Sequence, residues 1–290
     1  IKIMKKHFTK LLCISLLFNF LLKGDELNAL VPYYYLPTIK NLEKESLSIG
    51  RNAYQLLYFG QIKESLNLAK LAVKINKLDE KLWLILSESQ IANKLYEEAL
   101  ISLKKAEKIN PNLSEIYFSK SNIFVKQLKL KDAKIALKSG LQITPENHKA
   151  IFQLGNIFLM EKNYSSAINI FEKAIKIKPE FWQAINNQGL AYFEQDKINL
   201  SIKLFEKAIV LEENAEPLLG LASCLLIKDI NSAILLAKKA LIKNPNYVEY
   251  DYRKEQLWGE KLQIATEKLL KNNQLQQEIR KAKLKINQSS

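Results

Sequence analysis

The sequence predicts an all-α solenoid of about six helix-turn-helix repeats that ends in a C-terminal capping helix. Three observations support this fold class. Pro111, Pro145 and Pro179 follow one another at intervals of 34 residues, and small and large apolar residues recur at the same interval. The 290 residues include only 8 Gly and 7 Pro, which is too few for a turn-rich all-β protein and is typical of helices joined by tight turns.

Residues 1–29 are predicted to be a signal peptide or a membrane anchor rather than part of the fold. From Met4 onward, a basic stretch precedes an apolar run at residues 11–22, and a polar stretch follows it up to Ala29. A run of about 12 apolar residues fits a signal-peptide core and is shorter than the ~20 residues that cross a bilayer as a helix. Cleavage after Ala29 and retention as an anchor both stay open, because Leu27 is larger than the residue usual at that position. We therefore expect a protein that is exported or membrane-associated, in a periplasm or at a thylakoid.

Residues 30–45 are expected to form an extended lead-in that contains Tyr and Pro. The two cysteines, Cys13 and Cys224, lie in different segments of the chain. Neither a disulfide framework nor a metal site can be built from them, so the sequence predicts no bound metal.

Residues 46–247 are predicted to hold the repeats, because several columns of residues keep the step of 34. A small-residue column runs through Ala99, Ala133, Ala167 and Ser201, and a large apolar column runs through Leu103, Leu137, Phe171 and Phe205. Small residues suit the points where two helices cross closely, and large ones fill the space around them. The six predicted repeats are 46–79, 80–113, 114–147, 148–181, 182–215 and 216–247.

Three of these repeats depart from the pattern. The first has Lys77 and the fifth has Glu213 where the proline stands elsewhere. The sixth fits only if two residues are missing from its turn near Lys228 and Asp229. Terminal repeats of solenoids are often atypical, so these departures do not argue against the fold.

The segment LGNIFLMEKNYSSAINIFEKAIKIKPEF, residues 154–181, resembles the tetratricopeptide-repeat consensus nearly column by column. The resemblance implies a solenoid that binds another protein. The apolar leader, VPYYYLP at 31–37 and EQLWG at 255–259 add a narrower resemblance to membrane-associated tetratricopeptide proteins of cyanobacteria. One group of those proteins binds the light-dependent protochlorophyllide oxidoreductase.

Residues 248–272 are predicted to form the capping helix. Apolar residues recur there with helical spacing through Leu257, Leu262 and Leu269, but no second copy of a repeat follows. Such a helix would cover the apolar face of the last repeat. Residues 273–290 are polar and basic, and we expect them to form a frayed tail.

A groove along the repeats is the predicted binding site. The first helix of each repeat lines the concave side of such a solenoid, and residues at i, i+4 and i+7 share one face of a helix. Amide side chains both donate and accept hydrogen bonds, so they can hold the backbone of an extended peptide. The residues expected to contact the client are Phe118, Asn122, Lys149, Phe152, Gln153, Asn156, Gln183, Asn186 and Asn187.

Two alternatives stay open for these residues. Asn122 and Asn156 occupy one position of adjacent repeats, which resembles the asparagine ladder of some tetratricopeptide proteins. One Asn per helix could equally satisfy neighbouring polar groups. Phe118 and Phe152 fit packing between repeats as well as contact with a ligand.

The sequence predicts a non-enzymatic scaffold or assembly factor that holds a client protein or peptide, at a membrane. Its only histidines, His7 and His148, lie in the leader and at a helix start, and no phosphate-loop, dinucleotide or zinc-protease motif is present, so neither catalysis, a cofactor nor a small-molecule substrate is expected. The clamp of chaperone-binding relatives needs a lysine where this chain has Gly50 and Leu84, which argues against an acidic C-terminal peptide as the ligand. The net charge of +14 keeps an RNA-binding helical solenoid as the alternative, although the lysines are spread along most helices and nucleic acid is not the expected partner.

Overall fold

The computed structural model describes residues 38–289, and every regular element in that range is helical. The chain divides into two units between Glu45 and Ser46, and the pockets and contacts described below belong to the second. The α-helices are α1 Ile39–Tyr58, α2 Ile62–Ile75, α3 Glu80–Ala92, α4 Tyr96–Ile109, α5 Ser114–Lys126, α6 Leu130–Ile143, α7 His148–Met160, α8 Tyr164–Ile177, α9 Trp182–Glu194, α10 Ile198–Leu211, α11 Ala215–Leu225, α12 Ile230–Lys243, α13 Tyr250–Glu255, α14 Glu260–Leu270 and α15 Gln276–Ser289. The predictions for residues 1–29 and for VPYYYLP lie outside the described residues, whereas residues 39–45 of the expected extended lead-in belong to helix α1. None of the helices between residues 38 and 289 is both long and apolar enough to cross a membrane.

The helices pack in consecutive pairs, which confirms the predicted all-α solenoid. The second helix of three pairs ends two residues before Pro111, Pro145 or Pro179, because proline cannot continue a helix. Helices α2 and α10 end at the same offset, although Lys77 and Glu213 stand in the proline column. Their cap residues leave the helix in extended conformations, so the end of the second helix does not depend on the proline.

The turn inside each of the first five repeats contains one residue with a left-handed backbone. These residues are Gly60, Lys94, Leu128, Lys162 and Asp196, with φ between 57° and 76°, and they keep the step of 34. Helix α11 has 11 residues where the other first helices α3, α5, α7 and α9 have 13, and none of the residues that join it to α12 has positive φ. The sixth repeat therefore has a different turn, at the place where the sequence pattern required a deletion.

Small residues occupy the positions where a large apolar side chain of a neighbouring helix contacts the helix backbone. A Cβ atom on Gly155 would lie 2.4 Å from the ring of Phe171, which is fully buried. The ring of Phe205 lies between Gly189 and Gly220 in the same way, and a Cβ on Gly220 would approach it to 2.7 Å. Phe171 and Phe205 belong to the large apolar column found in the sequence, and Gly155 and Gly189, one step of 34 apart, lie opposite them.

The C-terminal region differs from the expected single capping helix and frayed tail. After the turn of 3-10 helix Pro245–Val248, residues 248–272 form the two helices α13 and α14, and residues 276–289 form the further helix α15. Leu275 and Ala282 are seven residues apart, and both are buried in the apolar cluster that includes α12. The prediction of a frayed tail is wrong because these two residues give the polar segment one apolar side.

Candidate protein-binding surface on the inner wall

The first helices of the repeats form one surface, which we call the inner wall. Neighbouring first helices touch one another at α3 and α5, at α7 and α9, and at α9 and α11. Two pockets open on this wall, one at its N-terminal end and one between α5 and α7. A larger depression of 710 Å³ lies over the turn at residues 144–149, but consecutive residues of that turn alone line it, so it lacks walls from separate helices.

The N-terminal pocket, which we call the tyrosine pocket, has a volume of 540 Å³ and is lined by α1, α3 and α5. The exposed fractions of Tyr54 and Tyr58 are 57% and 82%, which is high for large aromatic side chains. Tyr54 and Leu57 stand one step of 34 before Glu88 and Ile91 on α3. The lining residues are Tyr54, Leu57, Tyr58, Leu84, Ile85, Glu88, Glu115, Phe118 and Ser119.

Tyr54 and Tyr58 are not among the residues that the sequence predicted for the groove. The signal that could have found Tyr54 is the step of 34 itself, continued back into the first repeat. That repeat has Lys77 in place of the closing proline, so its register depends on its other columns of residues. The tyrosine pocket is therefore a finding of the structure.

Glu88 lies on the floor of the tyrosine pocket and is partly buried. Its carboxylate accepts a hydrogen bond from the Ser119 hydroxyl and forms no salt bridge with a described lysine or arginine. Burial raises the pKa of Glu88 above its ordinary value, and the bond from Ser119 opposes that rise only in part. The carboxylate is thus short of the positive partner that a buried charge requires.

The second pocket, which we call the amide pocket, lies between α5 and α7 and has a volume of 100 Å³. It brings together three of the predicted site residues, Asn122, Gln153 and Asn156. Asn122 is partly buried, Gln153 is exposed, and neither side chain hydrogen-bonds to another residue between 38 and 289. The remaining lining residues are Ser121, Val125, Ile157 and Met160.

Asn156 belongs to a chain of amides that continues into the interior. Its Oδ1 accepts from Nδ2 of Asn187 at 2.8 Å, and Oδ1 of Asn187 accepts from Nδ2 of Asn186 at 3.0 Å. The exposed fractions of Asn186 and Asn187 are 0% and 7%. A client cannot touch Asn186 directly, so its expected contact role is corrected to support of the amides above it.

The C-terminal segment explains why Asn186 is buried. Helix α14 packs on α9 and α11, the first helices of repeats five and six. The carboxylate of Glu194 on α9 accepts from the backbone N–H groups of Lys261 and Leu262 at 3.2 and 3.0 Å, so it binds the start of α14. The chain itself therefore occupies the C-terminal third of the inner wall, where the sequence predicted an open groove.

Glu216 joins the amide chain to this C-terminal segment. Its carboxylate accepts from Trp258 Nε1 at 3.1 Å and also hydrogen-bonds with the side chains of Asn186 and Tyr247. Although the residue keeps some exposed surface, its carboxyl group is enclosed, and burial raises the pKa of Glu216 to about 7 against these three hydrogen bonds. This carboxyl group titrates near neutral pH.

The other predicted site residues have mixed surroundings. The ring of Phe152 lies 5.7 Å from that of Phe171 and 5.1 Å from that of Phe181, which is packing within the fourth repeat and against the residue that precedes α9. Phe118 lines the tyrosine pocket while its ring covers Gly140. Lys149 is exposed and Gln183 is partly buried, and neither lines one of the two pockets.

Comparison with known sequences matches the model of the tetratricopeptide repeat to residues 80–113, 148–181 and 183–214. These ranges fall on the second, fourth and fifth predicted repeats. No curated protein sequence matches the chain.

Solved structures share the fold. A tetratricopeptide repeat protein from Parabacteroides merdae ATCC 43184 has a TM-score of 0.58 and 16% identity, over 83% of this chain and 99% of that chain. MamA from Desulfovibrio magneticus RS-1, residues 41 to the end, has a TM-score of 0.52 and 20% identity, over 61% and 98%. A chain of the APC/C hetero-tetramer Cut9–Hcn1 has a TM-score of 0.61 and 16% identity, over 77% and 46%.

Proposed function

We propose that this tetratricopeptide-repeat solenoid is a non-enzymatic scaffold that holds a segment of a client protein along the inner wall from α1 to α7. One observation carries the proposal. Between α1 and α7 the wall has one pocket with exposed tyrosines and a second pocket with unbonded amides, whereas from α9 onward the chain covers the wall itself.

The unbonded amides support ligand contact, one of the two alternatives that the sequence left open. Asn156 accepts a hydrogen bond from Asn187, as expected for amides that serve packing. Asn122 and Gln153 have no bonding partner among residues 38–289, although an amide offers two donors and an acceptor. These two side chains support binding of an extended backbone, which presents the N–H and C=O groups that amides bond.

A pull-down of clients from the native host tests the proposal. The tagged full chain is compared with the double variant Asn122→Ala and Gln153→Ala and with a matched control, Asn169→Ala and Gln142→Ala. The control residues are exposed and lie on the second helices α8 and α6, away from the inner wall. Clients should be retained by the control and lost from the amide variant, and equal recovery from both variants would remove the amide pocket from the proposal.

The narrower resemblance to the cyanobacterial proteins makes a protochlorophyllide oxidoreductase the first client to test. Binding of that purified enzyme to the chain, measured by titration calorimetry, should weaken in the amide variant. Failure to bind would reject this client while leaving the pull-down as the test of the scaffold.

Membrane association and export are further parts of the proposal, and they rest on the N-terminal segment 1–29. The intact mass of the mature protein from its own cell will show whether that segment is removed. Protease accessibility in sealed membranes will show on which side the repeats lie. A mature protein of full length that is recovered without membranes would reject both parts.

The RNA-binding alternative lacks support on the inner wall, since neither pocket is lined by lysine or arginine. It predicts an affinity for single-stranded RNA that falls steeply with salt, because phosphate contacts release counterions. A filter-binding titration at two salt concentrations measures this directly.

A further inference from the structure

We propose that the tyrosine pocket binds a client segment in which a lysine or arginine side chain lies next to a large apolar side chain. This inference rests on the proposed function and names the chemistry of the client segment. It follows from the charges of the pocket and from the side chains exposed in it.

The pocket is acidic in a chain that is basic overall. The chain has 44 lysines and arginines against 30 aspartates and glutamates, yet the lining contains two carboxylates, Glu88 and Glu115, and no basic residue. Neither carboxylate forms a salt bridge with any lysine or arginine between residues 38 and 289. The local charge therefore has the opposite sign to the average surface, and a cationic group complements it.

Glu88 adds an energetic reason for a cationic partner. Its carboxylate is partly withdrawn from water and has the Ser119 hydroxyl as its one donor among the described residues. A buried carboxylate is destabilised unless a positive group or several donors compensate it. A lysine or arginine from a client would supply that compensation, and arginine would also offer its planar set of donors.

The rest of the pocket is suited to an apolar side chain. Tyr54 and Tyr58 expose 57% and 82% of their surface, while Leu84 and Phe118 are partly buried beneath them. Exposed tyrosines of this kind are enriched at protein interfaces, and their ring faces also attract cations. A volume of 540 Å³ lies within the range of about 300–1,000 Å³ for ligand pockets, so the pocket has room for a few side chains rather than for a domain.

Selection from a library of random dodecapeptides displayed on phage tests the inference. The full chain is immobilised, bound phage are sequenced, and the binding of individual selected peptides is measured by fluorescence anisotropy. The enriched peptides should place lysine or arginine next to leucine, isoleucine, phenylalanine, tyrosine or tryptophan.

The double variant Glu88→Gln and Glu115→Gln should bind the selected peptides about tenfold more weakly, the scale of one hydrogen bond to a charged group. Its matched control is Glu206→Gln with Glu172→Gln, which removes two exposed carboxylates from the second helices α10 and α8. The double variant Tyr54→Ser and Tyr58→Ser should also weaken binding, whereas the control should bind as the original chain does. Circular dichroism of each variant establishes that it is folded.

The outcomes separate this inference from the proposed function. Peptides that are enriched without any basic preference and are lost from the Asn122 and Gln153 variant would keep the scaffold and overturn the inference. Peptides with a basic preference that bind the Glu88 and Glu115 variant unchanged would also overturn it. If no peptide is enriched above the bare support, both the inference and the binding of an extended segment are rejected.

Discussion

Replacing Glu216 by glutamine should remove a pH-dependent destabilisation from the folded chain. Burial raises the pKa of Glu216 from 4.5 to about 7. One pKa unit is about 1.4 kcal/mol, so the fully ionised carboxylate destabilises the fold by about 3 kcal/mol relative to the protonated one. Glutamine keeps an oxygen that can accept from Trp258 Nε1 and carries no charge at any pH.

The direction of the pH dependence follows from the sign of the shift. The pKa is higher in the folded chain than in the unfolded one, so the folded chain binds the proton more tightly. The stability that this proton contributes is complete below pH 4.5 and is lost as the pH rises through 7. The original chain should therefore lose up to about 3 kcal/mol over this window, a loss that the glutamine variant does not share.

Thermal unfolding followed by circular dichroism at pH 5 and pH 8.5 measures this difference. The Glu216→Gln variant should match the original chain closely at pH 5 and unfold at a higher temperature at pH 8.5, by roughly 6–12 °C for about 3 kcal/mol in a chain of this size. The change Glu206→Gln, at an exposed residue of α10, serves as the control and should leave both temperatures unchanged. If the difference in unfolding temperature between the variant and the original chain is the same at both pH values, or larger at pH 5, the raised pKa of an enclosed carboxyl group is refuted.

Three further changes test other parts of the structure. Phe205→Ala should lower the free energy of unfolding by about 3–5 kcal/mol in urea titrations, since the ring is fully buried between Gly189 and Gly220. Leu128→Gly should raise it by about 1 kcal/mol, because Leu128 is exposed and has a φ of 59° that glycine adopts without strain; a loss of stability would contradict the assigned turn. Arg253→Met should speed tryptic cleavage within residues 245–289, because the buried guanidinium donates to the carbonyls of Tyr247 and Val248 at 2.7 and 3.0 Å.

The sequence was sufficient for the repeating part of the fold because one physical constraint recurs there. Each close helix crossing needs a small residue opposite a large one, so Gly155 and Phe171 appear as columns that can be aligned without a structure. The left-handed residues of the turns were not predicted, since Lys94, Leu128, Lys162 and Asp196 do not stand out as glycines would. Their conformation is imposed by the helices on both sides.

The candidate site was only partly accessible to sequence reasoning. Position within a repeat identified Asn122 and Asn156 as inner-wall residues, and the structure places both in the amide pocket. It could not reveal that Asn186 is covered, because the covering segment is not a repeat and its contact with Glu194 joins residues 67 and 68 positions apart. Where a non-repeating segment folds back on the repeats, periodicity carries no information.

The attachment of Glu194 to the start of α14 gives the inner wall a closed end. In the proposed scaffold, a client segment that runs along the first helices meets α14 at α9, so it has to end or turn away after α7. A binding surface that is blocked at one end fixes the position of a segment that lies along it. The proposed scaffold therefore favours clients that offer a chain terminus or a sharp bend over clients that offer a long uninterrupted strand.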